Sequence, residues 1–222
     1  MVPRTLAWLG LFLLLISYGL VRREPPAAVT AASGRPLVVI DPGHGGVDPG
    51  AISASGIQEK SINLAVSFVA AHDLQTHGIA VALTRQSDRP ALQARRFIVI
   101  DDLHFRSWMA HHLGATLFLS IHSNSEPTGT VAGPIMYYVA GRESSHQLAS
   151  DVAHAFARTF GRAPQIRTIR QLVLLEMKVP ATTIELGFLT NRHDAIRLSS
   201  GAYQRALGAA ISQGVVQYLR HG

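Results

Sequence analysis

The chain is 222 residues long, 47% hydrophobic and 15% charged, which fits one folded domain with at most an appendage and excludes a disordered or acidic solvating chain. It has no cysteine, which excludes a disulfide framework, a thiolate zinc site, an iron–sulfur cluster and a cysteine nucleophile, so any metal must be held by His, Asp or Glu. The formal charge is +6, of which Arg4, Arg22 and Arg23 against Glu24 supply +2; the mild remainder suits an anionic partner but, with aromatics at 7%, requires no nucleic acid.

Thr5 to Val21 is seventeen residues without a charge. As a helix it would span about 25 Å, slightly short of a ~30 Å hydrocarbon core. Arg22-Arg23-Glu24-Pro25-Pro26 follows it in place of a small-residue cleavage site. Residues 1–23 therefore read as an uncleaved signal anchor rather than a cleaved leader. Residues 24–35, with Pro, Ala, Ser and Thr and no periodicity, read as a linker, and 36–222 as the folded domain.

From Leu37 strands and helices alternate. LVVID (37–41) is a short β-branched run that predicts a buried strand. Residues 42–58 are glycine-rich and irregular. Lys60 to His77 carries a helical apolar stripe closed by Gly78. IAVALT (79–84) predicts a second strand, Ala91 to Leu113 a long helix, and ATLFLSIH (115–122) a third strand. GPIMYYV (133–139) predicts a fourth strand and Glu143 to Phe160 a helix closed by Gly161. Leu172 to Leu175 reads as a short strand or turn, ATTIEL (181–186) as a strand, and about Tyr203 to Leu219 as a final amphipathic helix. The alternation predicts an α/β fold with an open sheet and helices on both faces.

In such folds ligands gather beyond the carboxyl ends of the strands. Three stretches put metal-capable or acid–base residues there: Asp41-Pro42-Gly43-His44-Gly45-Gly46, Ser120-Ile121-His122-Ser123-Asn124 and Ile184-Glu185-Leu186-Gly187. His44 and His122 with a carboxylate, for which Glu59 is the candidate, would hold zinc and leave one position for water. Glu185, on an otherwise apolar and Thr-containing strand, is the candidate proton carrier. Each residue alone has a plainer reading: a turn histidine, a core histidine, a carboxylate favoured by a helix N-terminus, a buried glutamate with a partner. Spacing does not link them. His111-His112 are adjacent on a helix and read as solvent-facing. GHGGVDPG lacks the Lys-Ser/Thr of a phosphate loop. A Ser120–His122 nucleophilic pair shares a strand face but shows no third member.

Val39-Ile40-Asp41-Pro42-Gly43-His44-Gly45-Gly46, with Asp48 and Gly50, resembles the opening motif of the zinc-dependent N-acetylmuramoyl-L-alanine amidases, the Amidase_3 family. Glu59-Lys60, Leu83-Thr84-Arg85, Ser120 to Asn124, and Ile184-Glu185-Leu186-Gly187-Phe188-Leu189-Thr190-Asn191 resemble its later motifs in order, over about residues 36–220. The resemblance implies a twisted, mixed, mostly parallel sheet flanked by helices. It implies one zinc ion per chain on His44, Glu59 and His122, with Glu185 as the catalytic carboxylate. Asn124 and Arg85 are expected to orient ligands or substrate, although an arginine more often serves structurally. The implied substrate is peptidoglycan, cut between the lactyl group of N-acetylmuramic acid and L-alanine.

The short layout, with no plug between His122 and Glu185 and no wall-binding repeat, is similar to germination-specific amidases of spore formers. That implies export, an N-terminal helix in the membrane with the domain outside, and an activator protein as an allowed further partner. The alternatives are a general autolysin or cell-separation amidase, a zinc peptidase of related fold with two metals, and a wall-binding module without activity. The presence of Glu185 counts against the last.

Overall fold

The computed structural model describes residues 34–221. The expected anchor and most of the expected linker lie outside them. Among the described residues no helix is long and apolar enough to cross a membrane.

Six strands form one sheet: β1 (Leu37–Pro42), β2 (Ala80–Leu83), β3 (Leu117–Asn124), β4 (Ile135–Tyr138), β5 (Gln165–Thr168) and β6 (Ala181–Phe188). Their order is β2-β1-β3-β6-β4-β5. Every neighbouring pair is parallel except β4 against β6, so β4 and β5 run opposite to the other four. The sheet is mixed and mostly parallel, as the resemblance implies. The helices are α1 (Glu59–Thr76), α2 (Val99–His112), α3 (Glu143–Phe160), α4 (Leu172–Glu176), α5 (Arg192–Leu198) and α6 (Gly201–His221).

Period-2 alternation sorts each central strand onto two faces. Val38 and Ile40, Leu117, Leu119 and Ile121, and Ile184 and Leu186 pack with α1, α3, α5 and α6 into the larger core. Val39, Phe118 and Ala181 pack on the other face with Ala110 of α2 and Val173 and Leu174 of α4. Asp41, Ser120, His122 and Glu185 share that second face by the same alternation. Register brings them level: Asp41 pairs with Ser120, and His122 with Glu185.

Four elements differ from expectation. The helix expected from Ala91 begins at Val99. The Leu92 N–H donates to Asp102 Oδ1 at 2.7 Å, so residues 91–98 fold back on the first turn of α2 instead of extending it. Leu172–Glu176, expected as a strand or turn, is one turn of helix. β5 had no expectation, because Gln-Ile-Arg-Thr is an exposed edge strand with a single apolar residue. α5 was also unforeseen, although Asn191 caps it by accepting from the N–H groups of His193 and Asp194, a readable start signal.

Candidate metal centre and active site

The glycine-rich loop after β1 turns back across the sheet edge. His44 sits in the left-handed region at φ 62°, the one non-glycine there among the described residues. Its Nδ1 lies 2.8 Å from Asp48 Oδ2, which fixes the ring and turns Nε2 inward. Nε2 is 3.2 Å from Glu59 Oε1, and His122 Nδ1 is 2.9 Å from the same oxygen. The two imidazoles meet edge to face, 4.9 Å between centres.

Glu59 opens α1 and is buried. Its Oε1 also accepts from Asn63 Nδ2 at 3.1 Å and the Ser123 N–H at 3.0 Å, and its Oε2 from the Ala51 N–H at 2.8 Å. Helix start and ligand candidate are thus one residue, not rival readings.

The donor set suits zinc. Two imidazole nitrogens and one carboxylate oxygen converge within 4.8 Å of one another. Ligands about 2.0–2.2 Å from a tetrahedral ion stand roughly 3.3–3.6 Å apart, and the two imidazole nitrogens lie 3.2 and 2.9 Å from Glu59 Oε1. Burial pushes the His44 imidazole down, but Glu59 and Asp48 outweigh it and lift it to about 9. Against the same burial cost, Glu59 raises His122 too, and the two imidazoles hold Glu59 well below the usual carboxylate range. A metal needs neutral imidazoles, so the raised His44 must lose its proton on binding. Zinc uptake at pH 7 is therefore expected to release protons, and affinity to climb as pH rises toward 9. Calorimetry in buffers of different ionisation heat measures both.

Two glycines give this cluster its space. A Cβ on Gly43 would stand 2.2 Å from the His122 ring, and one on Gly50, at φ +65°, 2.5 Å from Glu59 Oε2. Gly43→Ala is expected to displace His122 and weaken zinc binding by about 10–100-fold, read by competition with a chromogenic chelator.

Glu185 stands beside His122 on β6. Its Oε2 is shut from solvent with no hydrogen-bond partner, the one buried carboxylate oxygen of this kind among the described residues. Burial raises the carboxyl, His122 and His44 pull it down and Glu59 pushes it up; it settles at about 7. An unpartnered oxygen next to three metal-capable side chains can accept and return a proton near neutrality. A cavity of about 200 Å³ opens beside the two histidines, walled by His44, His122, Phe97, Val99, Leu103 and Val173.

The other candidates sort by their partners. Arg85 is buried and donates to the carbonyls of Pro42, Gly43, Lys60 and Ser87 at 2.7–3.0 Å, which pins the histidine loop. Asn124 is half-buried at the end of β3, and its Oδ1 accepts from the Ser125 N–H at 2.7 Å. Ser120 donates to Asp41 Oδ2 at 2.9 Å, so its hydroxyl is committed away from His122. In the loop, the N–H groups of Gly45, Gly46 and Gly50 are all bonded internally, which leaves no phosphate cradle. His111 and His112 are exposed, as read.

Sequence reasoning missed Arg106. Buried on α2, it pairs with Asp41 at 2.6 Å and Asp102 at 2.7 Å and donates to the carbonyls of Pro42 and His44. Asp41 also accepts from Thr84 at 2.6 Å. Burial raises the Asp41 carboxyl, and the Arg106 charge with the Thr84 hydroxyl brings it below the usual range. Its one signal was an Asp and an Arg four apart on a helix that otherwise buries small residues.

The family model described as N-acetylmuramoyl-L-alanine amidase, Amidase_3, matches residues 38–217. The chain belongs to this amidase family. Among its amidase relatives, AmiA of Escherichia coli is 28% identical over 84% of this chain and 77% of its own length. The germination-specific amidase of Bacillus subtilis is 29% identical over 82% of this chain and 79% of its own. The CwlD amidase of Clostridioides difficile, solved in complex with the GerS lipoprotein, superposes with a TM-score of 0.80 at 25% identity, covering 85% of this chain and all of that one.

Proposed function

We propose that this amidase is an exported zinc enzyme that cuts peptidoglycan at the amide between the lactyl group of N-acetylmuramic acid and L-alanine. The observation that carries the reading is the unpartnered Glu185 oxygen beside the His44–Glu59–His122 cluster, in a chain of this family. His44, Glu59 and His122 would hold the ion. Zinc there would supply polarisation of the carbonyl and a lowered pKa for water. Glu185 takes the proton of the attacking water at Oε2 and returns it to the departing alanine nitrogen. Asp48, Asn63 and the Ser123 N–H keep the ligand side chains aimed. Arg85 and Arg106 hold the loop that carries His44. Asn124, at the mouth of the site, is a candidate for orienting substrate.

The wall substrate requires the domain outside the cytoplasmic membrane, and residues 1–23 would anchor it there. We place it in spore cortex maturation, a setting supported by the Bacillus subtilis relative. The complex of CwlD with the GerS lipoprotein supports a lipoprotein as partner, to which we give the role of activator. AmiA is as similar as the germination enzyme, 28% against 29%, and carries the second reading, a general wall amidase.

The test incubates the full chain, in detergent, with peptidoglycan and reads soluble products by mass spectrometry. Free peptides beginning at L-alanine, lost with chelator and restored by zinc, are the expected result. Intact muropeptides from zinc-loaded protein, with or without a partner lipoprotein, would sink the reading. Cortex and vegetative wall run side by side separate the two settings.

A further inference from the structure

The turn that follows His44 is gripped from outside by two residues that take no part in the chemistry described above. Gly45 and Asp48 exchange main-chain hydrogen bonds, N–H to carbonyl in each direction, at 3.0 and 3.2 Å. Residues 45–48 therefore form a tight turn, with Val47 exposed at its tip. Asp48 closes the turn, and its Oδ2 lies 2.8 Å from His44 Nδ1. The aim of the His44 ring thus follows the placing of this turn. Gly45 and Gly46 have φ of 135° and 61°, and His44 itself stands at 62°. A residue with a side chain keeps such a backbone only where its surroundings over-determine it.

Arg85 and Arg106 hold the carbonyls that precede the turn, from Pro42 to His44. The turn itself is held through Gly46. The Lys60 ammonium donates to the Gly46 carbonyl at 2.7 Å, and Asp88 Oδ1 accepts the Gly46 N–H at 2.9 Å. Lys60 Nζ also donates to Asp88 Oδ2 at 2.8 Å. Both main-chain groups of one glycine are taken by the two halves of one ion pair. The chain beyond Asp88 lies directly on that glycine, where a Cβ would stand 2.7 Å from the Pro90 ring. Lys60 is buried, and its main chain joins the same set: its N–H donates to the Pro49 carbonyl at 3.2 Å, and its carbonyl accepts from Arg85 at 2.7 Å. Glu59 and Lys60 are neighbours on the first turn of α1 and point apart, as adjacent helical residues must. Glu59 meets the imidazoles, and Lys60 meets the turn.

We propose that Lys60 and Asp88 are positioning residues for His44: their ion pair clamps Gly46 and so places the turn whose Asp48 aims the imidazole at the metal. The proposal rests on the metal-site part of the reading above. The clamp differs from a purely structural ion pair in what its loss does. The Asp88 side chain is 60% exposed, so removing the lysine charge leaves a carboxylate that water can serve, and the fold as a whole keeps its stability. The strained backbone at His44 is then free to relax by moving the turn, and the cluster loses the aim of one ligand while Glu59 and His122 stay in place.

The test uses the full chain in detergent, as Lys60→Met, Asp88→Asn and the double variant. Zinc affinity, read by competition with a chromogenic chelator, is expected to fall about 10–100-fold in Lys60→Met. It should fall less in Asp88→Asn, which keeps an acceptor for the Gly46 N–H. The double variant should be no weaker than Lys60→Met, because both changes open one clamp. In the metal-free protein, Tm should stay within about 5 °C of the parent. Amide exchange over residues 43–50 should there quicken about tenfold, with β3 unchanged. Glu143→Gln, which removes an exposed carboxylate from α3, should leave all these readings as in the parent. With zinc saturating, Lys60→Met should turn over wall fragments within about twofold of the parent kcat, since it loses the metal and not the proton carrier. Parent-like zinc affinity in Lys60→Met overturns the proposal. So does a loss of affinity that comes with a lower Tm and faster exchange throughout the domain, which would mark a structural residue. So does slow turnover by a zinc-saturated variant, which would place Lys60 in the chemistry itself. An active amidase whose zinc affinity ignores Lys60 sinks the clamp alone. A clamp that governs zinc in a protein releasing no wall peptides sinks the amidase reading alone.

Discussion

Glu185→Gln is expected to lower turnover of wall fragments by about 10²–10⁴-fold while the protein still takes up one zinc per chain. The substitution keeps the shape of the side chain and removes its capacity to accept the water proton. His44, Glu59 and His122 are untouched, because Glu185 makes no hydrogen bond to any of them. The measurement is kcat beside metal content from the same preparation. Turnover at the parent rate would mean that another group carries the proton. Lost metal would mean that Glu185 serves the cluster instead. The variant also removes a carboxyl that burial lifts from its ordinary 4.5 to about 7. Such a group favours the unfolded chain once it must ionise. Metal-free Glu185→Gln should therefore melt above the metal-free parent at pH 8, with the gap closing as pH falls through 7 toward 4.5.

Arg106→Met is expected to destabilise the protein by about 3–5 kcal/mol, the usual cost of stranding a buried charge. Two carboxylates are stranded here. Asp41 and Asp102 are each buried and both lie within 2.7 Å of the guanidinium. For a chain of this size that is a fall in Tm of roughly 6–20 °C. The His44 carbonyl loses its side-chain donor as well, while the Pro42 carbonyl keeps Arg85, so zinc affinity should drop together with stability. Arg106→Lys keeps a charge but cannot span both carboxylates, and should fall between. A Met variant as stable as the parent would show that Asp41 and Asp102 are satisfied by other means.

The sequence carried the frame of the fold because the central strands advertise themselves. Leu37 to Asp41, Leu117 to His122 and Ala181 to Leu186 are β-branched or apolar runs too short for helices. His44, His122 and Glu185 were legible as strand-end residues, where open α/β sheets collect ligands. Their convergence was not: sheet register sets His122 level with Glu185, and the loop after β1 and the start of α1 bring His44 and Glu59 to them, all through contacts distant in sequence. Only the motif resemblance supplied that grouping. β5 was invisible because an edge strand facing water need not alternate. The start of α2 was misplaced because Asp102 takes a main-chain N–H from outside the helix, a competition that apolar periodicity cannot register. Arg106 was hidden for the opposite reason: a long charged residue on a helix is exposed by default, and only the paired carboxylates justify its burial.

The reversed direction of β4 and β5 divides the loops at the working edge into two kinds. Those after β1 and β6 are exits from strands whose ends carry the chemistry, and the first of them holds His44 itself. The segment 125–134 is exit and entrance at once. It leaves β3 after Asn124 and begins β4 at Ile135. Residues can be added or removed there without moving a ligand or the proton carrier, because both flanking strands are held by partners elsewhere in the sheet. The architecture thus leaves room for selectivity to drift while the reaction stays constant.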